Sequence, residues 1–215
     1  MAYITIRQYG EDDFIEKKSE FIGYAKRCET EEEAKEFVLE IKNKHKQATH
    51  NCWAYVVGKN MNIQRYSDDG EPQGTAGIPI LEVMKKSNIT DCAIVVTRYY
   101  GGILLGAGGL TRAYTKGASI ALKAGGVVEK VEGVKISLKM DYDMIGKVQY
   151  FCSQNNWHIE ETEYTDKVIT HILAELEVAE AIEKEAIESS NGKIVVDKSD
   201  SEIYFKEENR LYKLL

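Results

Sequence analysis

Residues 95–114 read VVTRYYGGILLGAGGLTRAY, an apolar branched run that breaks into a glycine-rich loop and resumes with helical spacing. Ala93–Thr97 (AIVVT) has the composition of a strand buried on at least one face. Past the loop, Leu110, Ala113, Tyr114, Gly117, Ala118 and Ala121 form a small apolar stripe. A helix is therefore predicted from near Gly109 to Ala124, with Gly125 as its C′ residue. Arg98, Tyr99 and Tyr100 follow the strand and open the loop, a place where side chains can meet a ligand. A second segment, residues 67–81 (SDDGEPQGTAGIPIL), contains both prolines and reads as another loop. Eight of the 17 glycines lie in these two segments, a density that implies positive φ or close approach to the backbone.

Upstream, Thr30 caps a predicted helix that runs to about Lys46. Glu33 completes a capping box, and Ala34, Phe37, Val38 and Ile41 recur on one face. ITIRQYG (residues 4–10), the stretch from Phe14 to Arg27, and Asn51–Val57 (NCWAYVV) read as strands. Downstream, the pattern changes after Gly125, Gly126 and Gly133. Val134, Ile136, Leu138 and Met140 alternate with Lys135, Ser137 and Lys139, the period of a half-buried strand. A helix through Met144, Val148, Phe151 and Cys152 follows, then a hairpin from Trp157 to Leu176 turning at Thr165 and Asp166. A second helix spans Ala179–Ser189, and a last strand begins at Lys193. This β-α-β-β-α-β order predicts a ferredoxin-like unit at 133–215 after a first unit at 1–132.

With 215 residues, 43% hydrophobic and 29% charged, the chain has enough apolar side chains for one or two packed cores, and disordered or collagen-like classes are excluded. No apolar run is long enough to span a membrane, and no secretion signal is visible. Cys28, Cys52, Cys92 and Cys152 form no CxxC pair and read as reduced, buried thiols. A cytoplasmic location is expected. Residues 1–132 carry 18 basic and 18 acidic residues, whereas residues 133–215 carry 10 and 17, net −7. The first unit thus has room for a local basic surface despite the acidic whole.

P-loop, GxSxG and HExxH motifs do not occur, and GAGGLT (residues 106–111) lacks dinucleotide-binding spacing. The glycine loops suit either an anion-binding nest or tight turns with close helix packing. Asp68, Asp69 and Glu71 form either a carboxylate cluster fit for magnesium or the turn chemistry of DDGEP. His45 and His50 have no metal-ligand or nucleophile spacing, and each reads as a surface or capping residue. No cofactor or metal is expected. Arg112, Lys116 and Lys123 share a helical stripe opposite the apolar face. With Arg98, Tyr99 and Tyr100, and with His45, Lys46 and Arg65 if strands gather them, they can bind RNA phosphates and stack on unpaired bases. The alternative is a solvated helix face with packed tyrosines.

Residues 67–81 and 95–114, together with KKSEFIG (Lys17–Gly23) and HKQATHNCWAY (His45–Tyr55), resemble the signature of the IMPACT/YigZ family. The resemblance covers residues 1 to about 130, and the rest resembles the additional domain of bacterial members. It implies an α+β protein: an N-terminal α/β domain similar to the second domain of a small-subunit ribosomal protein, then a ferredoxin-like domain, together similar to elongation factor G domains IV and V. Eukaryotic relatives regulate translation under amino-acid stress through a further recognition domain that no part of this sequence resembles, so their partner does not carry over. For the bacterial type the resemblance implies RNA or ribosome association without an established reaction. It falls on Lys18, Ser19, His45, His50, Arg65, Asp68, Asp69, Glu71, Thr75, Arg98, Tyr99 and Arg112. Arg98 and Arg112 are assigned to phosphates and Tyr99 to stacking. Gly101, Gly102 and the glycines to Gly109 allow close backbone approach, and the carboxylates orient the arginines or an ion. Lys46 and Lys116 extend the same surface.

Three readings follow. The leading one is a non-enzymatic, translation-associated regulator that binds RNA or the ribosome through the first unit. The second is a protein-binding stress regulator. The third is an enzyme for a small phosphorylated substrate, with His50 or Asp69 moving a proton and Arg98 holding the anion.

Overall fold

The computed structural model describes residues 2–213. Two compact units divide at Val128 and Glu129. Among the described residues no helix is long and apolar enough to cross a membrane.

In the first unit, β1 (Tyr3–Ile6) precedes a five-stranded sheet of β2 (Gly10–Glu16), β3 (Ser19–Arg27), β4 (His50–Val57), β5 (Ile63–Ser67) and β6 (Cys92–Tyr99). The order is β2-β3-β6-β4-β5, and every neighbouring pair is antiparallel. α1 (Glu31–Lys44) covers one face, and α2 (Gly77–Lys86) with α3 (Ala107–Gly125) covers the other. This three-layer arrangement explains why AIVVT does not alternate. Ala93 and Val95 pack with Phe37 and Ile41 of α1, while Ile94 and Val96 pack with Ile80, Met84, Tyr114 and Ala118 of α2 and α3.

The predicted stripe of α3, from Leu110 to Ala121, is buried throughout. The capping of α1 also stands as read: Thr30 Oγ1 accepts from the Glu33 N–H at 3.2 Å. The Glu33 carboxylate accepts from the Glu29 N–H at 2.7 Å, one residue earlier than a standard box. The helix ends at Lys44 with His45 as its cap, short of Lys46, and α3 is capped by Gly126 at φ 70° where Gly125 was expected.

Two local expectations need correction, and strand β5 was not expected. The stretch from Phe14 to Arg27 is a hairpin, because Lys17 and Lys18 turn at φ 45° and 64° and set β2 beside β3. Neither lysine signals a turn by type, so the break was invisible. Residues 67–81 are not all loop, since α2 begins at Gly77. Pro79 sits in its first turn, where a missing N–H costs nothing. Strand β5, short and half-polar, carried no readable period.

In the second unit, β7 (Val127–Met140), a 3-10 turn (Tyr142–Met144), α4 (Ile145–Gln154), β8 (Ile159–Tyr164), β9 (Val168–Glu175), α5 (Leu176–Ser190) and β10 (Val195–Lys198) form the β-α-β-β-α-β core. Strand order is β10-β7-β9-β8, all antiparallel. Ile136, Leu138, Val148, Phe151, Ile172 and Ile182 fill the layer between sheet and helices. The expected last strand is not last. β11 (Glu202–Glu207) and β12 (Arg210–Lys213) form a hairpin, and β11 takes the first half of β7 while β10 takes the second. Arg210 grips Glu160 of β8 through Nε and Nη2 at 3.1 and 3.0 Å.

Candidate functional site

At one end of the first unit's sheet, the C-terminus of β6 meets the start of β3 and of β4. There Arg98 is 5% exposed and its Nη1 donates to Glu71 Oε1 at 2.7 Å. The Tyr114 hydroxyl of α3 donates to the same oxygen at 2.7 Å. Ser19 Oγ accepts from Arg98 Nη2 at 3.4 Å and from the Gly101 N–H at 3.2 Å. His50 Nδ1 donates to the Asp69 carbonyl at 2.8 Å and turns Nε2 toward Glu71 Oε2, 3.9 Å away. Ser19, His50, Glu71 and Arg98 are thus brought together, joined by Tyr114, which had been read only as part of an apolar stripe. Its hydroxyl pKa is pushed far up, first by burial and then by the Cys52 and Glu71 side chains beside it.

Arg98, expected to touch phosphate, is held inside the unit through Nη1 and Nη2. A guanidinium this buried and neutralised by Glu71 is a strut between the 68–76 segment and the β6 end. Its Cζ lies 5.4 Å from the Phe21 ring centre and 5.3 Å from the Tyr100 ring centre. Tyr100, 44% exposed, is therefore the aromatic face presented to solvent.

The three carboxylates go separate ways. Asp68 caps α2 from a distance, taking the N–H groups of Ala76 and Gly77 on Oδ1 (3.0 and 2.8 Å) and of Gly74 on Oδ2 (2.9 Å). Asp69 accepts from Lys42 Nζ at 2.6 Å and from the Asn51 N–H at 2.7 Å, which occupies both oxygens. Neither is placed as a free proton carrier, and among the described residues no group of three metal-ligating side chains is gathered. Thr75 Oγ1 donates to the Pro72 carbonyl at 2.6 Å and closes the turn.

His45 caps α1 with both ring nitrogens engaged, Nε2 to the Tyr24 hydroxyl at 2.6 Å and Nδ1 to the Tyr99 hydroxyl at 2.9 Å. Burial, followed by nearby Lys44, lowers its pKa. Tyr99, expected to stack, is held at its hydroxyl by His45. Arg65 stands on the outer strand β5, 3.8 Å from Glu31 at the start of α1, and is not gathered into the site. Lys46 is exposed just past α1.

The exposed cations collect elsewhere, around the β2–β3 turn and α3. Lys17, Arg112 and Lys116 line a cleft of about 200 Å³ with Phe14, Glu16 and Leu105. Lys116 Nζ sits 4.1 Å from the Phe14 ring centre. Among the described residues, Lys17, Lys18, Arg112 and Lys116 have no carboxylate partner. The loop beside them is fixed by Gly101, where a Cβ would stand 1.9 Å from the Lys18 carbonyl oxygen. Gly106, at φ 75°, opens α3 as its N-cap. Gly102 is exposed at the loop's outer edge. The sequence reading missed Asn51, Tyr24 and Lys42, whose roles arise only when strands and α1 converge.

Fold and site define a two-unit α+β protein with a buried polar strut next to a glycine loop and a cleft lined by Lys17, Arg112 and Lys116. Residues 17–122 match the Impact N-terminal domain, and residues 138–193 match a domain of unknown function (DUF1949). The chain is 43% identical to IMPACT family member YvyE of Bacillus subtilis (strain 168) over 192 residues, 89% of this chain and 88% of that one. It is 36% identical to IMPACT family member YigZ of Escherichia coli (strain K12), covering 73% and 78% of the two chains. A crystal structure of a hypothetical protein superposes with TM-score 0.58 at 29% identity, covering 91% of this chain and 96% of that one. The chain belongs to the IMPACT family.

Proposed function

We propose that this protein is a non-enzymatic, translation-associated regulator that binds RNA, as ribosomal or free RNA, through the cation-rich end of its first unit. The observation that carries this reading is the gathering of Lys17, Arg112 and Lys116 around one cleft, with exposed Lys18 next in the chain, and none of them with a carboxylate partner among the described residues. Cations left unpaired beside a rigid glycine loop are free to release counterions from a phosphate backbone. The buried groups support a binding role over a reaction. His50 Nδ1, both carboxylate oxygens of Asp69 and Oε1 of Glu71 are engaged, by the Asp69 carbonyl, Lys42, the Asn51 N–H, Arg98 and Tyr114.

In this reading Arg112, Lys116, Lys17 and Lys18 contact phosphates, and Arg98 holds the loop from beneath. Cosedimentation of the protein with ribosomes across a potassium chloride series tests it. Binding at low salt that weakens steeply as salt rises is expected. Absence of binding at the lowest salt overturns it.

A further inference from the structure

Between Gly101 and Gly106 the glycine loop turns Leu105 toward the core and leaves two aliphatic side chains exposed. Leu104 is 81% exposed and Ile103 40%. Tyr100, which precedes the loop, is 44% exposed, its ring centre 5.3 Å from Arg98 Cζ. Large aliphatic side chains at such exposure lose hydration free energy unless something covers them. Their surroundings select the partner: Lys17, Arg112 and Lys116 line a cleft with Leu105 of the same loop, and the Lys18 backbone abuts Gly101, so the partner must be polyanionic and offer an apolar or π surface.

Resting on the RNA-binding reading, we infer that the Tyr100–Leu104 tip receives an unpaired, splayed base of structured RNA, such as a bulge. Tyr100 stacks on it, while Ile103 and Leu104 fill the gap left in the base stack. A fully paired A-form duplex offers no such base, because its bases are stacked and its deep groove is closed to side chains. The tip is built to keep its shape without the ligand. Ser19 holds the Gly101 N–H, the Tyr100 N–H donates to Thr49 Oγ1 at 3.0 Å, and Arg98 is braced by Glu71. A preorganised loop avoids part of the ordering cost of binding.

Fluorescence anisotropy with two labelled RNAs of equal length, one hairpin with a single-nucleotide bulge and one fully paired, decides the point. The wild type is expected to favour the bulged RNA by about tenfold, in keeping with the stacking energy of one base. Leu104→Ser, at an exposed position that leaves the fold intact by circular dichroism, is expected to abolish that preference and leave duplex affinity unchanged. Tyr100→Ala is expected to do the same. Equal affinity of the wild type for both RNAs, or a preference that survives both substitutions, overturns the inference while RNA binding itself stands. Absence of binding to either RNA overturns both. Tighter, Leu104-dependent binding to vesicles containing phosphatidylserine than to RNA assigns the tip to a lipid surface and also overturns it.

Discussion

Arg98 Nη1 and Glu71 Oε1 lie 2.7 Å apart with both side chains almost wholly buried, and this pair joins two segments that the sequence keeps 27 residues apart. Such a pair adds little net stability compared with apolar packing, but breaking it strands a charge. Glu71→Ala is expected to destabilise the first unit by about 3–5 kcal/mol. Urea unfolding monitored at Trp53 measures this, with Glu71→Leu combined with Arg98→Met expected to recover most of the loss. A cost below about 1 kcal/mol for Glu71→Ala removes the strut from the account. Arg98→Ala consequently reports on folding first, and is a poor probe of RNA contact.

Asp68 satisfies three backbone N–H groups at the start of α2, a helix without a side-chain cap of its own. Asp68→Ala is expected to cost about 1–2 kcal/mol, and Asp68→Asn less, because an amide oxygen still accepts. Equal costs for the two would show that charge, not acceptance, is what α2 needs.

Gly101→Ala places a methyl against the Lys18 carbonyl, a contact that backbone must move to relieve. We expect destabilisation of about 1–3 kcal/mol, the range of overpacked sites, and weakened RNA binding because the loop shifts. A variant as stable as the wild type would mean the β2–β3 turn yields freely.

His45 titrates below an ordinary histidine because burial disfavours its charged form. The unfolded chain therefore binds the proton more readily, and stability rises with pH across the interval between the folded pKa and about 6.5. Its contribution is complete above that interval and is lost as pH falls through it. The wild-type urea midpoint should drop between pH 7.5 and 5.5 by more than that of His45→Gln. Carbon-13 chemical shifts of the imidazole give the folded pKa directly, and a value at or above 6.5 would contradict the assignment.

How much was legible depended on whether a residue's task was set locally. The α3 stripe, the Thr30 cap and the alternation of β7 follow from period and end chemistry, and all are present in the structure. The glycine segments could be seen to flank a site for the same reason, since backbone freedom is written in residue type. What could not be read were tasks assigned by convergence. The type of Arg98 suggests a ligand, while its partner Glu71 arrives from another loop, itself held by Tyr114 from a helix, a pairing no local pattern shows. Tyr99 and Tyr100 are indistinguishable in sequence, but alternation on β6 sends the first to His45 and leaves the second exposed. The hairpin of β11 and β12 escaped notice because short, charged strands draw their stability from β7 rather than from their own pattern.

The salt dependence of ribosome binding tests the central claim most directly. Binding constants for the wild type and for Arg112→Gln, Lys116→Gln are measured by cosedimentation from 50 to about 200 mM potassium chloride, a range over which phosphate contacts dominate the slope. If these two exposed cations touch phosphates, the double variant's slope of log K against log salt is shallower by about 1.4–1.8, at roughly 0.7–0.9 per contact. An unchanged slope with unchanged affinity would contradict the account.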